Sequence, residues 1–242
     1  MEIEEFLKLV RSRRSMRQLK PDPIPDEYVP KILEAGRWAM SGANGQPWEF
    51  VVVRDPELRE KVVNAWFEAR GEMNAIEQTR LKDLQHRQFI REQTLPGWKD
   101  APVIIVVIGD RRTLQATVLS THFIPGEGGG GLYYKNMANA TQNLHLAAHA
   151  LGLGSAWISL NRLSSHAIAE ILGIPPVFDL HTLVPIGYPA YKSKPPYRRK
   201  LEEIVHYDRY DKSKYRTGED VVNFLRELRQ HTSGPYAQEF SD

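Results

Sequence analysis

An α+β fold with one central sheet is predicted by three features of the sequence. Four short runs of apolar, mostly β-branched residues have the length and composition of buried strands. Segments with helical periodicity outnumber these strands. The spacing also lacks the regular strand–helix alternation of a parallel α/β sheet. The predicted strands are residues 50–53, 102–109, 155–160 and 180–187.

The helices are predicted from apolar residues that recur three or four positions apart. Asp26 follows a proline-rich connector and is expected to be the N-cap of the second helix. The glycine-rich segment 126–131 is predicted to be a flexible loop. The predicted helices cover residues 3–12, a segment from Asp26 to Trp38, and residues 57–95, 132–151, 164–172 and 219–229.

Composition and charge narrow the possible classes of function. The chain has no cysteine, which excludes disulfides, thiolate catalysis and cysteine-ligated metal clusters. A formal net charge of +2 and the lack of a recognised nucleic-acid-binding motif argue against a nucleic-acid partner. The longest apolar run, residues 103–108, is far shorter than the roughly 20 residues that span a bilayer. We therefore expect a cytoplasmic protein without a nucleic-acid or membrane partner.

Two basic clusters contain no acidic residue. Because like charges repel, folding the two clusters near each other would require an anion between them. Phosphate is the natural candidate, since the planar arginine fork matches its oxygens. The alternative is that both clusters are solvated basic surfaces. The first cluster comprises Lys8, Arg11, Arg13, Arg14, Arg17 and Lys20, and the second Lys192, Lys194, Arg198, Arg199 and Lys200.

The loop at residues 41–48 offers hydrogen-bonding groups. It reads SGANGQPW and carries the side-chain amides of Asn44 and Gln46. Such amides can both donate and accept, so they can bind the edges of a flat heterocycle. The alternative is an ordinary turn that leads into the first strand.

Four sequence blocks follow one another between residue 6 and about residue 205. They read RRSMR at 13–17, SGANGQPWEF at 41–50, GLGSAW at 152–157, and PIGYP at 185–189 followed by RRKLEEI at 198–204. Their order and spacing resemble the nitroreductase family. The resemblance implies an α+β homodimer with a central, mainly antiparallel sheet and two FMN molecules in the subunit interface. It also implies an FMN-binding domain at 1–205 and a C-terminal extension at 206–242, which we expect to pack on the partner subunit.

The resemblance assigns cofactor-binding roles by position. The FMN phosphate and ribityl chain would lie near the first block (13–17) and the arginines of the last (198–204). The pyrimidine edge of the flavin would lie near Arg17. The isoalloxazine ring would lie along the third block and the residues that follow it, up to Leu160. The Ser41 loop would come from the partner subunit. The implied FMN-binding residues are Arg13, Arg14, Ser15, Arg17, Ser41, Gly42, Asn44, Gln46, Trp157, Ile158, Ser159, Leu160, Arg198 and Arg199.

The implied activity is ping-pong hydride transfer from NADH or NADPH to a nitroaromatic, quinone or related small acceptor. No catalytic side chain is assigned, because the chemistry belongs mainly to the cofactor. The long polar region 66–100 is expected to set substrate choice. Two alternatives stay open: a reductive dehalogenase-like flavoprotein and a non-catalytic flavin-binding protein. Glu72 loosely matches the deiodinase lid, but Ala75 stands where that lid has a tyrosine.

His145 and His149 are four residues apart on a predicted helix, a spacing that can bind zinc. Leu146 replaces the glutamate that follows the first histidine in zinc peptidases. We therefore predict no metal site and expect surface or packing histidines. Ser155 lies in a segment that lacks the second glycine of a nucleophile elbow and is expected to be structural.

Overall fold

A computed structural model of the chain describes residues 2–82, 94–115 and 130–233. The chain divides into two units, Met1–Ala190 and Tyr191–Asp242. The first unit contains the sheet. The second contains the C-terminal helix. The domain boundary expected near residue 205 stays a prediction.

The sheet of the first unit has four antiparallel strands in the order β1-β2-β4-β3. This arrangement confirms the predicted α+β fold with a central antiparallel sheet. The central strand β2 is buried from its first residue to Gly109, as expected for a strand covered on both faces. The strands are β1 (Trp48–Val53), β2 (Val103–Asp110), β3 (Gly154–Ser155) and β4 (Phe178–Gly187).

The helices largely follow the predicted pattern. Apart from single turns, the described residues form α1 (Ile3–Ser12), α2 (Tyr28–Arg37), α3 (Pro56–Gln78), α4 (Gly130–Ala150), α5 (Arg162–Leu172) and α6 (Gly218–Ser233). Helices α2 and α4 pack against each other, as do α3 and α5. Val103, Ile105 and Val107 of β2 join α2 and α4 in one core cluster. Their neighbours in the strand point to the opposite face and are equally buried.

Several local predictions were wrong. Asp26 does not cap α2, because its carboxylate instead accepts a hydrogen bond from Arg54 Nη1 at 2.6 Å. The helix predicted over 57–95 ends at Gln78, and residues 83–93 lie outside the described residues. Gly130 and Gly131 begin α4 rather than ending a loop, whereas 126–129 lie outside the described ranges. The strand predicted over 155–160 is regular only at Gly154–Ser155.

Candidate active site

Two of the sequence blocks lie side by side at the β3 edge of the sheet. Ser15 forms a parallel bridge with Ser155, and Met16 N–H donates to the Ser155 carbonyl at 2.9 Å. Ile158 bridges Leu183 of β4. The first block, at 13–17, therefore runs directly beside the segment 154–160, which extends the sheet beyond β4.

The residues of segment 157–160 alternate in direction. Ile158 N–H donates to the Leu183 carbonyl at 3.0 Å, and its side chain is buried. Trp157 and Ser159 are exposed, and their N–H groups donate to no carbonyl in the described part of the chain. Neighbouring N–H groups of an extended edge strand point in opposite directions. The backbone N–H groups of Trp157 and Ser159 are thus available to a ligand outside the sheet. The N–H group of Ile158 is already hydrogen-bonded to Leu183. Leu160 is half-buried.

The arginines of the first block follow the end of α1. Arg13 is the C-cap residue of this helix. Arg14 Nη1 donates to the carbonyls of Arg11 at 2.6 Å and Arg13 at 2.9 Å, so this guanidinium neutralises the helix C-terminus. Arg13, Arg14 and Ser15 are half-buried, whereas Arg17 is exposed. The Arg14 side chain is therefore tied to the end of α1 by these two hydrogen bonds.

His149 lies against this arginine segment. Its Nε2 atom is 2.7 Å from Ser12 Oγ. Ser12 Oγ also lies 3.1 Å from the Leu9 carbonyl, to which it donates its single proton. His149 Nε2 must then be the donor toward Ser12 Oγ. Partial burial lowers the pKa of His149, and the positive charges of Arg13 and Arg14 lower it further.

His145 lies one helical turn away and is only 4% exposed. Its Nδ1 atom is 2.8 Å from Ser155 Oγ, and its ring centroid is 6.4 Å from that of Trp157. Burial, with a contribution from Arg13, lowers the pKa of His145 to about 4. His145 Nε2 has no hydrogen-bond partner among the described residues. A neutral histidine thus packs beneath the segment that contains Ser155 and Trp157. The spacing of the two histidines was the only sequence signal for this position.

The Ser41 loop has a strained backbone. Ala43, Asn44 and Gln46 have φ angles of 51°, 54° and 41°, which non-glycine residues rarely adopt. Gln46 N–H donates to Ser41 Oγ at 3.1 Å, and Gly42 N–H donates to Asn136 Oδ1 at 3.1 Å. Strain of this kind often marks a functional site. Within the described ranges, no hydrogen bond joins this loop to segments 13–17 or 157–160.

The second predicted phosphate-binding pair lies in the second unit. Arg198 is exposed, and its Nη1 donates to the Tyr197 carbonyl at 2.8 Å. Arg199 Nη2 donates to the Glu203 carbonyl at 2.8 Å, and its Nε lies 3.5 Å from the Glu203 carboxylate. The Arg199 charge is thus partly neutralised within its own segment. Arg198 is the better candidate for binding an anion.

A cavity of about 810 Å³ opens in the first unit between α3, α5 and the start of β4. Arg111 bonds Asp179 and donates to Tyr134 Oη at 3.0 Å. The ring of Tyr134 stacks on His181 at 6.2 Å, and His181 meets Trp157 edge to face at 5.1 Å. The cavity wall thus contacts segment 157–160 through His181. No sequence motif pointed to Arg111, Asp179 or His181.

The close approach of the two segments depends on Gly154. A Cβ at this position would lie 2.9 Å from Met16 Cβ and 3.0 Å from Leu19 Cδ2. We expect Gly154→Ala to lower the free energy of unfolding by about 1–3 kcal/mol, because the backbone at Met16 must shift. Gly71→Ala is the control, since nothing lies within 4 Å of its Cβ position on α3. That change should stabilise by about 0.5–1 kcal/mol. Urea unfolding tests both, and equal effects would contradict the packing argument.

The described residues contain neither a candidate metal cluster nor a membrane-spanning helix. No group of three or more histidine, aspartate or glutamate side chains there is placed to hold a metal ion. None of the described helices is both long and apolar enough to cross a membrane.

Comparison with known proteins identifies similar chains. The family model described as the nitroreductase family matches residues 10–188. A candidate NADH dehydrogenase/NAD(P)H nitroreductase from Archaeoglobus fulgidus is 33% identical over 189 residues, covering 77% of this chain and 87% of that protein. Iodotyrosine deiodinase 1 from Rattus norvegicus is 26% identical over 210 residues, covering 85% of this chain and 70% of that protein. A candidate nitroreductase from Desulfovibrio desulfuricans, solved in complex with FMN, has a TM-score of 0.56 and 27% identity, covering 85% of this chain and 97% of that chain.

Proposed function

The chain belongs to the nitroreductase family, and from this premise we propose that it is an FMN-dependent NAD(P)H oxidoreductase that reduces a nitroaromatic, quinone or related small acceptor. The observation that carries this proposal is the pairing of segment 13–17 with segment 154–160 at the sheet edge. When bound, FMN supplies the two-electron carrier between the reductant and the acceptor. The FMN complex of the Desulfovibrio desulfuricans relative supports this choice of cofactor.

The residues of the first block fit a phosphate group. Arg13 and Arg14 present two half-buried guanidinium groups, and Ser15 adds a hydroxyl. Burial is the main cause of the low pKa values of His145 and His149, and the positive charge of Arg13 lowers both pKa values further. A dianionic phosphate would offset that charge. We assign phosphate binding to these residues, together with Arg198 and, more weakly, Arg199 of the second unit.

The sheet edge fits the planar ring system. Trp157 and Ser159 direct N–H groups away from β4, where they can donate to a flavin edge, and Ile158 anchors the segment between them. Trp66 Nε1 donates to the Ser159 carbonyl at 3.0 Å and fixes that residue. Arg17 is exposed and can stabilise negative charge that develops on the ring. Leu160 completes the segment that we assign to the ring.

We further propose that each site is completed by a partner subunit. The Ser41–Gln46 loop is held by its own hydrogen bonds and by Asn136, so it is already ordered for binding. In a homodimer the partner would contribute Ser41, Gly42, Asn44 and Gln46, and the extension at 206–242 would pack on the partner. Gln46 Nε2 donates to the Asn44 carbonyl at 3.3 Å, which leaves its side-chain oxygen for the cofactor. A cytoplasmic location stays a prediction.

The overall reaction consumes one proton in addition to the hydride of NAD(P)H. NAD(P)H and a proton reduce a quinone to the hydroquinone and leave NAD(P)+, or reduce a nitro group to a nitroso group with release of water. We assign no side chain as general acid. Reductant and acceptor occupy the site in turn, so we expect ping-pong kinetics.

Purification without added cofactor tests the proposal. We expect a yellow protein whose flavin absorbance bleaches with NADH or NADPH and returns when a quinone or nitroaromatic is added. Initial rates at several acceptor concentrations should give parallel double-reciprocal lines. A colourless protein that takes up no FMN would refute the proposal. Bound FMN without NAD(P)H oxidation would instead favour the non-catalytic alternative.

A reductive dehalogenase is the second candidate, because the rat deiodinase is 26% identical over most of this chain. In this chain Ala75 occupies the place of the lid tyrosine. Halide release from an iodinated tyrosine, assayed with reduced protein beside the nitro and quinone acceptors, distinguishes the two functions. Halide release faster than nitro or quinone reduction would favour the deiodinase-like alternative.

A further inference from the structure

The cavity of the first unit has the size of a small-molecule site. Its volume of about 810 Å³ lies within the range of typical ligand pockets, roughly 300–1,000 Å³. Helices α3 and α5 form two walls, and the residues Phe178–His181 at the start of β4 form the floor. The cavity meets segment 157–160 through the contact of His181 with Trp157. A ligand in this cavity would therefore be separated from the proposed flavin-binding segment by a single side chain, that of His181.

The floor of the cavity is aromatic. Tyr134 stacks on His181 with an interplanar angle of 24°, and Phe178 adds a third ring to the lining. Burial lowers the pKa of His181, so this imidazole is neutral at neutral pH. Flat rings of this kind favour a flat, ring-bearing ligand, because offset stacking and burial of apolar surface both stabilise it.

Some charges of the cavity are already paired. The Arg111 guanidinium is held by Asp179 and by Tyr134 Oη. Nε2 of His166 lies 3.7 Å from the Glu170 carboxylate. Asp179 is therefore not free to attract a ligand cation, and Arg111 is not free to attract an anion. The contact of His166 with Glu170 is an ion pair only when His166 is protonated, so it does not neutralise Glu170.

The remaining charges are predominantly negative. Glu68 and Glu72 are four residues apart on α3, so they share one helical face. Neither forms an ion pair or side-chain hydrogen bond with the described residues, and the same holds for Arg162. With Glu170, three carboxylates thus face the cavity against the one guanidinium of Arg162. Like charges one turn apart repel each other, so a cation between them is favoured.

We propose that this cavity is the acceptor site and that Glu68 and Glu72 select a flat aromatic or quinonoid acceptor that carries a positively charged amine. The proposal rests on the proposed function. The redox step is unchanged: NAD(P)H and one proton reduce the acceptor's nitro or quinone group, and the ammonium group takes no part in the chemistry. Acceptors that carry a carboxylate are disfavoured by the same two side chains.

A matched series of nitrobenzyl compounds tests the selectivity. The probes are 4-nitrobenzyl trimethylammonium, 4-nitrobenzyl alcohol and 4-nitrobenzoate, which differ mainly in charge. With the FMN-loaded protein and NAD(P)H, kcat/KM is expected to fall in that order. In Glu68→Gln/Glu72→Gln, the ratio of the ammonium compound to the alcohol should fall about fivefold, as expected for two solvent-exposed carboxylates. Arg162→Gln should raise the same ratio.

Controls separate this proposal from the proposed function. Glu57→Gln/Glu60→Gln removes two carboxylates from the same helix outside the cavity and should leave the ratio unchanged. If none of the three compounds is reduced, the proposed function fails. If the alcohol is reduced but Glu68→Gln/Glu72→Gln keeps the wild-type ratio, the cavity proposal is overturned.

A binding measurement gives a readout that does not depend on turnover. Calorimetry on the oxidised, FMN-loaded protein without NAD(P)H should detect benzyltrimethylammonium more tightly than benzyl alcohol. The preference should decrease about fivefold in Glu68→Gln/Glu72→Gln. An equal affinity of wild type for the two probes would contradict the assignment.

Discussion

Arg13→Ala is expected to weaken FMN binding by about 10- to 100-fold, because a hydrogen bond to a charged phosphate contributes about 1.5–3 kcal/mol. The measurement is a fluorescence titration of the apoprotein with FMN and, in parallel, with riboflavin. Riboflavin has no phosphate, so its affinity should change by no more than about twofold. This difference between the two flavins isolates the phosphate contact from any general effect on the fold.

Two variants sharpen the Arg13 experiment. Lys8→Ala removes one positive charge from the same helix and should change FMN affinity little, since exposed charges are screened. Arg13→Lys keeps the charge but loses the planar fork, so its affinity should lie between those of wild type and Arg13→Ala. Equal losses of FMN and riboflavin affinity in Arg13→Ala would show that Arg13 acts on the fold and not on the phosphate.

Arg14 and Arg198 are expected to behave differently from each other. Arg14 donates to two carbonyls at the end of α1, so its replacement should lower stability as well as FMN affinity. Among the described residues, Arg198 donates only to the neighbouring Tyr197 carbonyl, so Arg198→Ala should weaken FMN binding without a loss of stability.

The main elements of the fold could be predicted from the sequence because their signals are local. The apolar run of β2 and the periodicity of α1 each reflect burial of a single element, and both elements lie close to the predicted bounds. The end of α3 could not be predicted, because the polar helical tendency of the chain continues past Gln78 without a glycine or proline. The prediction that Asp26 caps α2 was wrong because of a contact that is not local in sequence. A side chain distant in sequence, Arg54, competes for its carboxylate.

Only those site residues that lie in the family-like sequence blocks could be predicted from the sequence. Segments 13–17 and 154–160 were named separately, and the structure brings them together through the Ser15–Ser155 bridge. Of the cavity residues, Arg111 and Asp179 were missed, because they are 68 positions apart and form no motif. His145 was expected to be a surface or packing residue. Its role depends on Ser155 and Arg13, which only the folded chain places beside it.

The stability of the protein is expected to fall as the pH drops from about 6.5 to about 4, in part because of His145. Its pKa is about 4 in the folded chain and 6.5 when unfolded. Between these values the unfolded chain binds one more proton than the folded chain, so acid favours unfolding. The full contribution is present above pH 6.5 and is lost by about pH 4. It amounts to about 3 kcal/mol, since each pKa unit corresponds to about 1.4 kcal/mol.

Urea unfolding at pH 7 and pH 5 measures this effect. His145→Gln keeps a side chain that can hydrogen-bond Ser155 but cannot titrate. It should be less stable than wild type at pH 7, yet lose about 2 kcal/mol less between pH 7 and pH 5. His166→Gln is the matched control, because it makes the same substitution at an exposed position on α5. An unchanged pH dependence in His145→Gln would refute the assignment.

FMN binding should reduce this acid sensitivity. Arg13 contributes to the low pKa of His145, after burial, because two positive charges would otherwise lie close together. A phosphate bound at Arg13 offsets that charge and raises the pKa of His145 toward its ordinary value. By linkage, the FMN-loaded protein should lose less stability between pH 7 and pH 5 than the apoprotein does. In Arg13→Ala the two forms should differ less, since the charge that couples phosphate to His145 is gone. Urea unfolding of wild type and Arg13→Ala at pH 7 and pH 5, each with and without FMN, therefore tests both the phosphate contact and the buried histidine.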